Sequence, residues 1–390
     1  MRNILNINSD WILSTEKTPD GKAVHKRILP LNKEDEYCYY LELLGAAPSM
    51  EVFVNQEKIG AHTGSYTLYR VDVTDQIVNG DNELDIVCDS EVPCLDASLI
   101  VVGKHHFSLD HFGDAGLTVI PQEISTSSAS IRITAHAKKL PEDSMISYTV
   151  LTTTGTMLAN KSVPVSAPEY ICHLTNPCLW NGKTSPKLYV VVAGLIVNGA
   201  TEDQIVLPFG LRNLSMESNG SVLVNGLCVP EKDLIRTLES DPFVYDDMDE
   251  DGSFACVELK ELCDIAADEE DCRNLLTEYV LQNAYHPSIL CWKLPEDHAD
   301  FAALLRELDS GVILNNMEQS VRQAHTFAHR RAASLSVQET ASQAFSNSVC
   351  TLAICSCRWL ISFFRMEATT TDAAWNRSVI PRVPATPFKA

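Results

Sequence analysis

Between residues 37 and 207 the chain alternates short strand-like runs with turn signals, and this alternation is the strongest limit on its fold. Residues 69–73 (YRVDV) and 83–88 (ELDIVC) alternate apolar and polar side chains, and the turn cluster 79–82 (NGDN) separates them. Runs of this kind about every ten residues, with no helical stretch between them, are typical of β-sandwiches. The pattern therefore predicts a β-sandwich in the first 120 residues.

The same alternation continues beyond residue 120. Residues 130–134 (SIRIT), 147–151 (SYTVL) and 187–192 (KLYVVV) read as strands, and Thr154 and Gly155 read as a turn. A second sandwich over residues 121–210 has the size of an immunoglobulin-like domain. We therefore expect a mainly β chain that begins with two sandwiches.

Residues 52–90 resemble the sugar-binding jelly-roll domain of glycoside hydrolase family 2, which includes β-galactosidases, β-glucuronidases and β-mannosidases. The positions that match its pattern are Gly60, His62, Gly64, Tyr66, Asp72, Val73 and Thr74. The family's joint in the second sandwich is matched by Asn176, Pro177, Leu179, Trp180, Pro186, Leu188 and Tyr189, and the domain ends with residues 208–212 (PFGLR). The resemblance implies a jelly-roll domain over 1–120 and an immunoglobulin-like domain over 121–210.

In this family a TIM barrel follows, and such barrels take about 250 residues. Residues 286–292 (HPSILCW) resemble the family's joint between a helix and a barrel strand. Only 59 residues separate Gly226 from His286, whereas three βα units need about 100. The resemblance thus implies a shortened, partial α/β barrel remnant over 211–320.

Retaining glycosidases hold two carboxyl groups about 5–5.5 Å apart, one as acid/base and one as nucleophile. The family motif places Asp297 at the acid/base position and Glu296 at the position of an asparagine that contacts the sugar. Pro295 replaces a glycine, and no later glutamate has the sequence context of the nucleophile. By the same resemblance Asp110 and Trp292 are predicted carbohydrate contacts, and a loop cap is the alternative role for Asp110.

A second motif is independent of this resemblance. Asp247, Asp249, Asp251 and Glu258 fit the ligand spacing of a calcium loop, with Gly252 at the turn position. The motif predicts Ca²⁺ at these four residues, and the alternative is a solvated acidic loop. No other cofactor is required by the sequence.

Charge and cysteine usage limit the partners and the compartment. The net charge of −22 argues against binding to nucleic acid or to anionic membranes. The N-terminus lacks an apolar signal region, and the most apolar run, 349–364, is short for a membrane span and contains Arg358. The 13 cysteines include no CxxC pair, which predicts a reduced, cytoplasmic protein.

The last 70 residues differ from the rest of the chain. Residues 321–390 carry 8 Lys and Arg against 3 Asp and Glu and lack the earlier patterns. Two interpretations stay open: a poorly ordered basic extension, or a sequence that did not evolve to fold here, such as the product of a reading-frame change. Neither gives the tail a function.

Three functions follow from these features. The first is a family 2 homologue that acts in carbohydrate metabolism or recognition without hydrolytic activity. The second is an active retaining β-glycosidase that uses Asp297 as acid/base and takes its nucleophile from elsewhere. The third is a calcium-responsive interaction protein. A partial barrel would expose apolar surface, which predicts a homo-oligomer or a partner chain.

Overall fold

The structure is a computed structural model. It describes residues 2–314, apart from 46–47, 91–93, 95, 110–115, 138–139, 218–219, 242 and 310–312, and only the backbone of 313–314. The predicted basic tail lies outside the described residues. Among the helices that are described, none combines the length and the apolar character that a membrane crossing needs.

The first group of strands forms two antiparallel sheets with an apolar core between them. The strands are β1 Asn3–Asn6, β2 Ile12–Leu13, β3 Ala23–Leu31, β4 Tyr37–Leu44, β5 Ser49–Val54, β6 Glu57–Thr63, β7 Tyr69–Asp72, β8 Gly80–Cys88 and β9 Asp96–Gly103. The sheet orders are β1-β9-β4-β7 and β2-β3-β8-β5-β6. In β5 every second side chain is buried, as expected where one face of a strand meets a core.

The second group repeats this arrangement. Its strands are β10 Leu117–Gln122, β11 Ser128–Ala135, β12 Met145–Thr152, β13 Met157–Pro164, β14 Glu169–Thr175, β15 Leu188–Val197 and β16 Ala200–Gly210. The sheets β10-β11-β14 and β13-β12-β15-β16 enclose a core that includes Tyr148, Val191 and Phe209. Strand β10 pairs with β11, so this group already begins at Leu117, three residues before the predicted boundary at 120.

The third group changes from antiparallel to parallel strands. Strands β17 Leu214–Met216, β18 Val222–Val224 and β19 Leu227–Cys228 form a small antiparallel sheet. A parallel sheet of β20 Leu234–Thr237, β21 Phe254–Glu258, β22 Ile289–Lys293 and β23 Ile313–Leu314 follows in chain order. Its connections contain helices α1 Phe243–Asp251, α2 Lys260–Ile265, α3 Glu269–Asn283 and α4 Ala302–Leu308, and the 3₁₀ helix Glu296–Phe301.

The helices cover one face of the parallel sheet. Ala255, Val257 and Trp292 of the sheet share a core with Tyr245 of α1 and Leu276 of α3. Parallel strands in chain order joined by helices form an α/β unit. In the described part of the chain two parallel strands, β20 and β21, precede β22. Closure of this sheet into a partial barrel stays a prediction.

Helix α3 also packs on the first group of strands. Oε1 of Gln282 accepts the backbone N–H of Leu68 at 3.0 Å. A Cβ at Gly64, which has a φ of +103°, would lie 2.7 Å from Cδ2 of Leu275. The turn that carries Gly64 therefore forms the contact surface for α3, and a larger residue would push the helix away.

Candidate functional site

The carboxyl ends of the parallel strands form an edge that carries charged side chains. This edge holds the active site in barrels of parallel strands. Nζ of Lys293 in β22 donates to Oε1 of Glu258 in β21 at 2.7 Å, and a guanidinium nitrogen of Arg236 in β20 lies 3.7 Å from the same oxygen. The carboxylate of Glu258 is therefore shared between two cations.

The two residues predicted to carry the chemistry follow directly after this edge. Glu296 and Asp297 begin the 3₁₀ helix after β22, and both side chains are exposed. The Asp297 side chain is 79% exposed, with Oδ1 3.2 Å from Nδ1 of His298. The neighbouring His298 side chain lowers the pKa of Asp297, so this carboxyl group is ionised at neutral pH. A general acid in a glycosidase requires the opposite shift.

Trp292 is buried, which corrects its predicted role as a carbohydrate contact. Its ring meets Tyr279 edge to face with centroids 6.2 Å apart, and its Nε1 donates to Oδ2 of Asp309 at 3.0 Å. The ring is completely enclosed in the core between the sheet and its helices. It therefore stabilises the α/β unit and offers no face to a sugar. Asp110, the other predicted contact, lies outside the described residues.

The calcium loop predicted from the sequence is not formed. Asp247, Asp249 and Asp251 lie within helix α1, whereas Glu258 ends strand β21. The helix forms because Tyr245 and Met248, three residues apart, both face the core. Among the described residues these four carboxylates do not form a group of close ligand atoms. Binding of Ca²⁺ by the chain stays a prediction.

Two other groups of three side chains in the described residues have ligand atoms close enough to hold a metal ion. One group consists of Cys263, Cys272 and His298. The other consists of Asp246, Asp249 and His286, which are all buried. In this group Nδ1 of His286 donates to Oδ2 of Asp249 at 2.7 Å, and Oδ1 of Asp249 accepts the N–H of Ser288 at 2.8 Å. Both carboxylate oxygens of Asp249 thus accept hydrogen bonds from the segment that leads into β22.

The same region is a joint between the second and third groups of strands. Nε1 of Trp180 donates to the backbone oxygen of Asp249 at 2.9 Å. Nε of Arg212 donates to the carbonyl oxygen of Pro287 at 2.6 Å, and its guanidinium also donates to the carbonyl of Ile289. Burial lowers the pKa of Arg212, and nearby Asp309 and Asp249 oppose this effect. The sequence motifs that contain Trp180 and Arg212 therefore hold the joint together.

A cleft of about 480 Å³ lies beside the amino ends of β20 and β21. Its lining includes Lys183, Lys232, Asp233 and Phe254. The cleft is at the opposite end of the strands from Glu296 and Asp297, so it is no part of the predicted catalytic edge. Sequence reasoning missed it because its lining comes from three separate stretches of chain.

Comparisons with known proteins agree with the fold. The model of the family described as Glycosyl hydrolases family 2 matches residues 114–212. A curated protein of Formosa agariphila is 23% identical over an alignment of 388 positions, and the alignment covers 84% of this chain and 46% of that protein. The beta-glucuronidase of Bacteroides fragilis is 22% identical over an alignment of 324 positions, and the alignment covers 65% of this chain and 47% of the enzyme.

Solved structures show the same arrangement. The FMN-binding beta-glucuronidase from Facaelibacterium prausnitzii L2-6 matches with a TM-score of 0.71 and 22% identity, over 80% of this chain and 63% of that one. The chain spans about half the length of the curated relatives that it matches. These matches confirm the family resemblance that the sequence motifs indicate.

Proposed function

Because the chain belongs to glycoside hydrolase family 2, we propose that it functions in carbohydrate recognition and does not hydrolyse glycosides by itself. The proposed absence of hydrolysis rests on one observation, the 79% exposure of the Asp297 side chain. In the family pattern this side chain occupies the place of the proton donor. Here it projects into water at the start of a 3₁₀ helix.

A proton donor to a glycosidic oxygen works in an enclosed site, where burial keeps the carboxyl group protonated near neutral pH. Pro295, with a φ of −66°, fixes the backbone just before the two candidate carboxylates. Proline removes the freedom that a glycine would give at this position. A displacement of about 1 Å in a catalytic group can cost about 100-fold in rate. The exposed position of Asp297 therefore supports the proposal that the carboxyl edge of the parallel sheet does not catalyse glycoside hydrolysis.

Recognition is the function that the β part of the chain supports. Residues 114–212, which match the family, lie almost wholly within the second group of strands. Relatives that share this arrangement include beta-glucuronidases. Since the chain spans about half their length, their substrates enter only as candidates, and β-glycosides are the class to test first.

The test is hydrolysis of chromogenic β-glucuronide, β-galactoside, β-mannoside and β-glucoside substrates by the full chain. We expect no turnover by the wild-type protein and none by Asp297→Asn. Asp300→Asn is the matched control, because Asp300 is an exposed carboxylate in the same 3₁₀ helix. Turnover that Asp297→Asn abolishes and Asp300→Asn retains would overturn the proposal and establish an active β-glycosidase.

Binding is measured separately from turnover. Saturation-transfer NMR with the same four glycosides detects recognition without any reaction. We expect signal transfer to at least one of them, and unchanged transfer in Asp297→Asn. Absence of transfer for all four sugars would contradict carbohydrate recognition of this class and favour the calcium-responsive alternative, which a Ca²⁺ titration followed by protein fluorescence tests.

A further inference from the structure

Two thiols and one imidazole come together beside the carboxyl edge of the parallel sheet. Cys263 lies in α2, Cys272 in α3, and His298 in the 3₁₀ helix after β22. One ligand atom from each residue lies within 4.8 Å of those of the other two. From this geometry we propose that Cys263, Cys272 and His298 form a zinc site.

The site is enclosed on the side of the thiols. Cys263 is 5% exposed and Cys272 is 2% exposed, and their sulfur atoms lie within 4.8 Å of each other. Both belong to the core that α2, α3 and the sheet share. Two neighbouring sulfur ligands fixed on separate helices require little rearrangement to bind one ion.

The imidazole is positioned from the other side. The ring of His298 stacks on Phe301, with centroids 6.1 Å apart and planes 15° apart. Its Nδ1 is buried and has no partner with hydrogen-bond geometry, although Oδ1 of Asp297 is 3.2 Å away. A buried nitrogen in this position costs free energy unless a donor, an acceptor or an ion satisfies it.

The ligand types select the metal. Thiolate sulfur together with imidazole nitrogen is a preferred ligand set for Zn²⁺, with Zn–S distances of about 2.3 Å and Zn–N distances of about 2.0–2.1 Å. Tetrahedral geometry then requires about 3.8 Å between two sulfurs and about 3.5 Å between sulfur and nitrogen. Ligand atoms within 4.8 Å of one another need a contraction of at most about 1.3 Å, which side-chain rotation can supply.

Asp297 is the candidate for the fourth position. Two ligands of nitrogen and oxygen type on one zinc ion are about 3.3 Å apart in a tetrahedral site. The separation of 3.2 Å between Asp297 Oδ1 and His298 Nδ1 is close to this value. With two thiolates and one carboxylate around Zn²⁺ the site would carry a net charge of −1, and the side chains of Lys260 and Arg273 lie near it.

The first experiment uses the full chain, reduced and stripped of metal, and titrates it with Co²⁺ as a spectroscopic probe for zinc. We expect one equivalent to give a thiolate-to-cobalt charge-transfer band and the visible bands of tetrahedral cobalt, and Zn²⁺ to abolish both. Cys263→Ser, Cys272→Ser and His298→Ala should each lose the charge-transfer band or reduce it strongly. Asp297→Asn should weaken Co²⁺ affinity by about 10- to 100-fold.

Cys256→Ser is the matched control, because Cys256 is another buried cysteine that faces a second cysteine, Cys291, across neighbouring strands. It should leave the cobalt spectrum unchanged. Circular dichroism separates loss of metal binding from loss of folding, and the exposed Asp297→Asn change provides a variant that preserves the core. Absence of a charge-transfer band in the reduced wild-type protein, or its persistence in the double Cys263→Ser, Cys272→Ser variant, would overturn the proposal.

Discussion

Nδ1 of His286 donates to Oδ2 of Asp249 at 2.7 Å, and both side chains are buried. The other carboxylate oxygen of Asp249 accepts the N–H of Ser288, just before β22. Its backbone oxygen accepts the indole N–H of Trp180 from the second group of strands. A single residue of α1 therefore fixes both the start of a central strand and the position of the neighbouring β unit.

The first prediction concerns the carboxylate of Asp249. Asp249→Ala leaves buried donors on His286 and Ser288 without their acceptor, and such losses cost about 3 kcal/mol of the free energy of unfolding. Asp247→Ala is the matched control, since Asp247 is exposed in the same helix and should change stability by less than about 0.5 kcal/mol. Urea denaturation measures both. Equal effects of the two variants would show that the Asp249 contacts do not stabilise the joint.

The second prediction concerns Gly252, which lies where α1 meets β21. Its φ is +75°, and a Cβ there would lie 2.3 Å from the backbone of Gly182 and Lys183. Gly199 has a similar φ of +80° with no other heavy atom within 4 Å. Gly199→Ala should therefore cost only the conformational strain of about 1–2 kcal/mol.

Gly252→Ala adds a backbone clash to the same strain. Overpacking of this kind costs a further 1–3 kcal/mol, so we expect a total of about 3 kcal/mol or more. Thermal unfolding of the two alanine variants gives the comparison. A loss of stability at Gly252 no greater than that at Gly199 would disprove the close approach between the two backbones.

Gly252 also shows where reasoning from sequence reached its limit. The sequence predicted it as the turn glycine of a calcium loop, because alternate acids precede it. The structure uses those acids in a helix, since burial of Tyr245 and Met248 on one face outweighs a local pattern of carboxylates. A motif of ligand spacing contains no information on which residues the rest of the fold buries.

Other elements were predictable for a physical reason. The runs at 69–73 and 147–151 alternate with period two, and the structure has β7 and β12 there. The motif at residues 286–292 also correctly predicted a strand, which is β22 in the structure. By contrast, Cys263, Cys272 and His298 share no recognisable spacing, because each comes from a different helical segment of the fold. Only the packing of those segments brings their side chains together.

The third prediction is a pH dependence that arises from Glu278 of α3. Burial raises the pKa of this carboxyl group from 4.5 to about 8, a hydrogen bond with Thr67 opposes the shift, and Asp271 adds to it. Between these pH values the folded state binds more protons at this site than the unfolded state. The free energy of unfolding should therefore fall as pH rises from about 5 to 8, by at most about 1.4 kcal/mol per pH unit.

Glu278→Gln removes the ionisation and keeps the size of the side chain. The variant should gain stability relative to the wild type as pH rises, with the difference largest near pH 8 and small near pH 5. Glu270→Gln is the matched control, because Glu270 is exposed on the same helix and has no comparable burial. Urea denaturation at several pH values measures the slopes. A stability difference between Glu278→Gln and the wild type that stays constant across this range would show that Glu278 does not titrate near pH 8, and that water reaches the contact between α3 and the first group of strands.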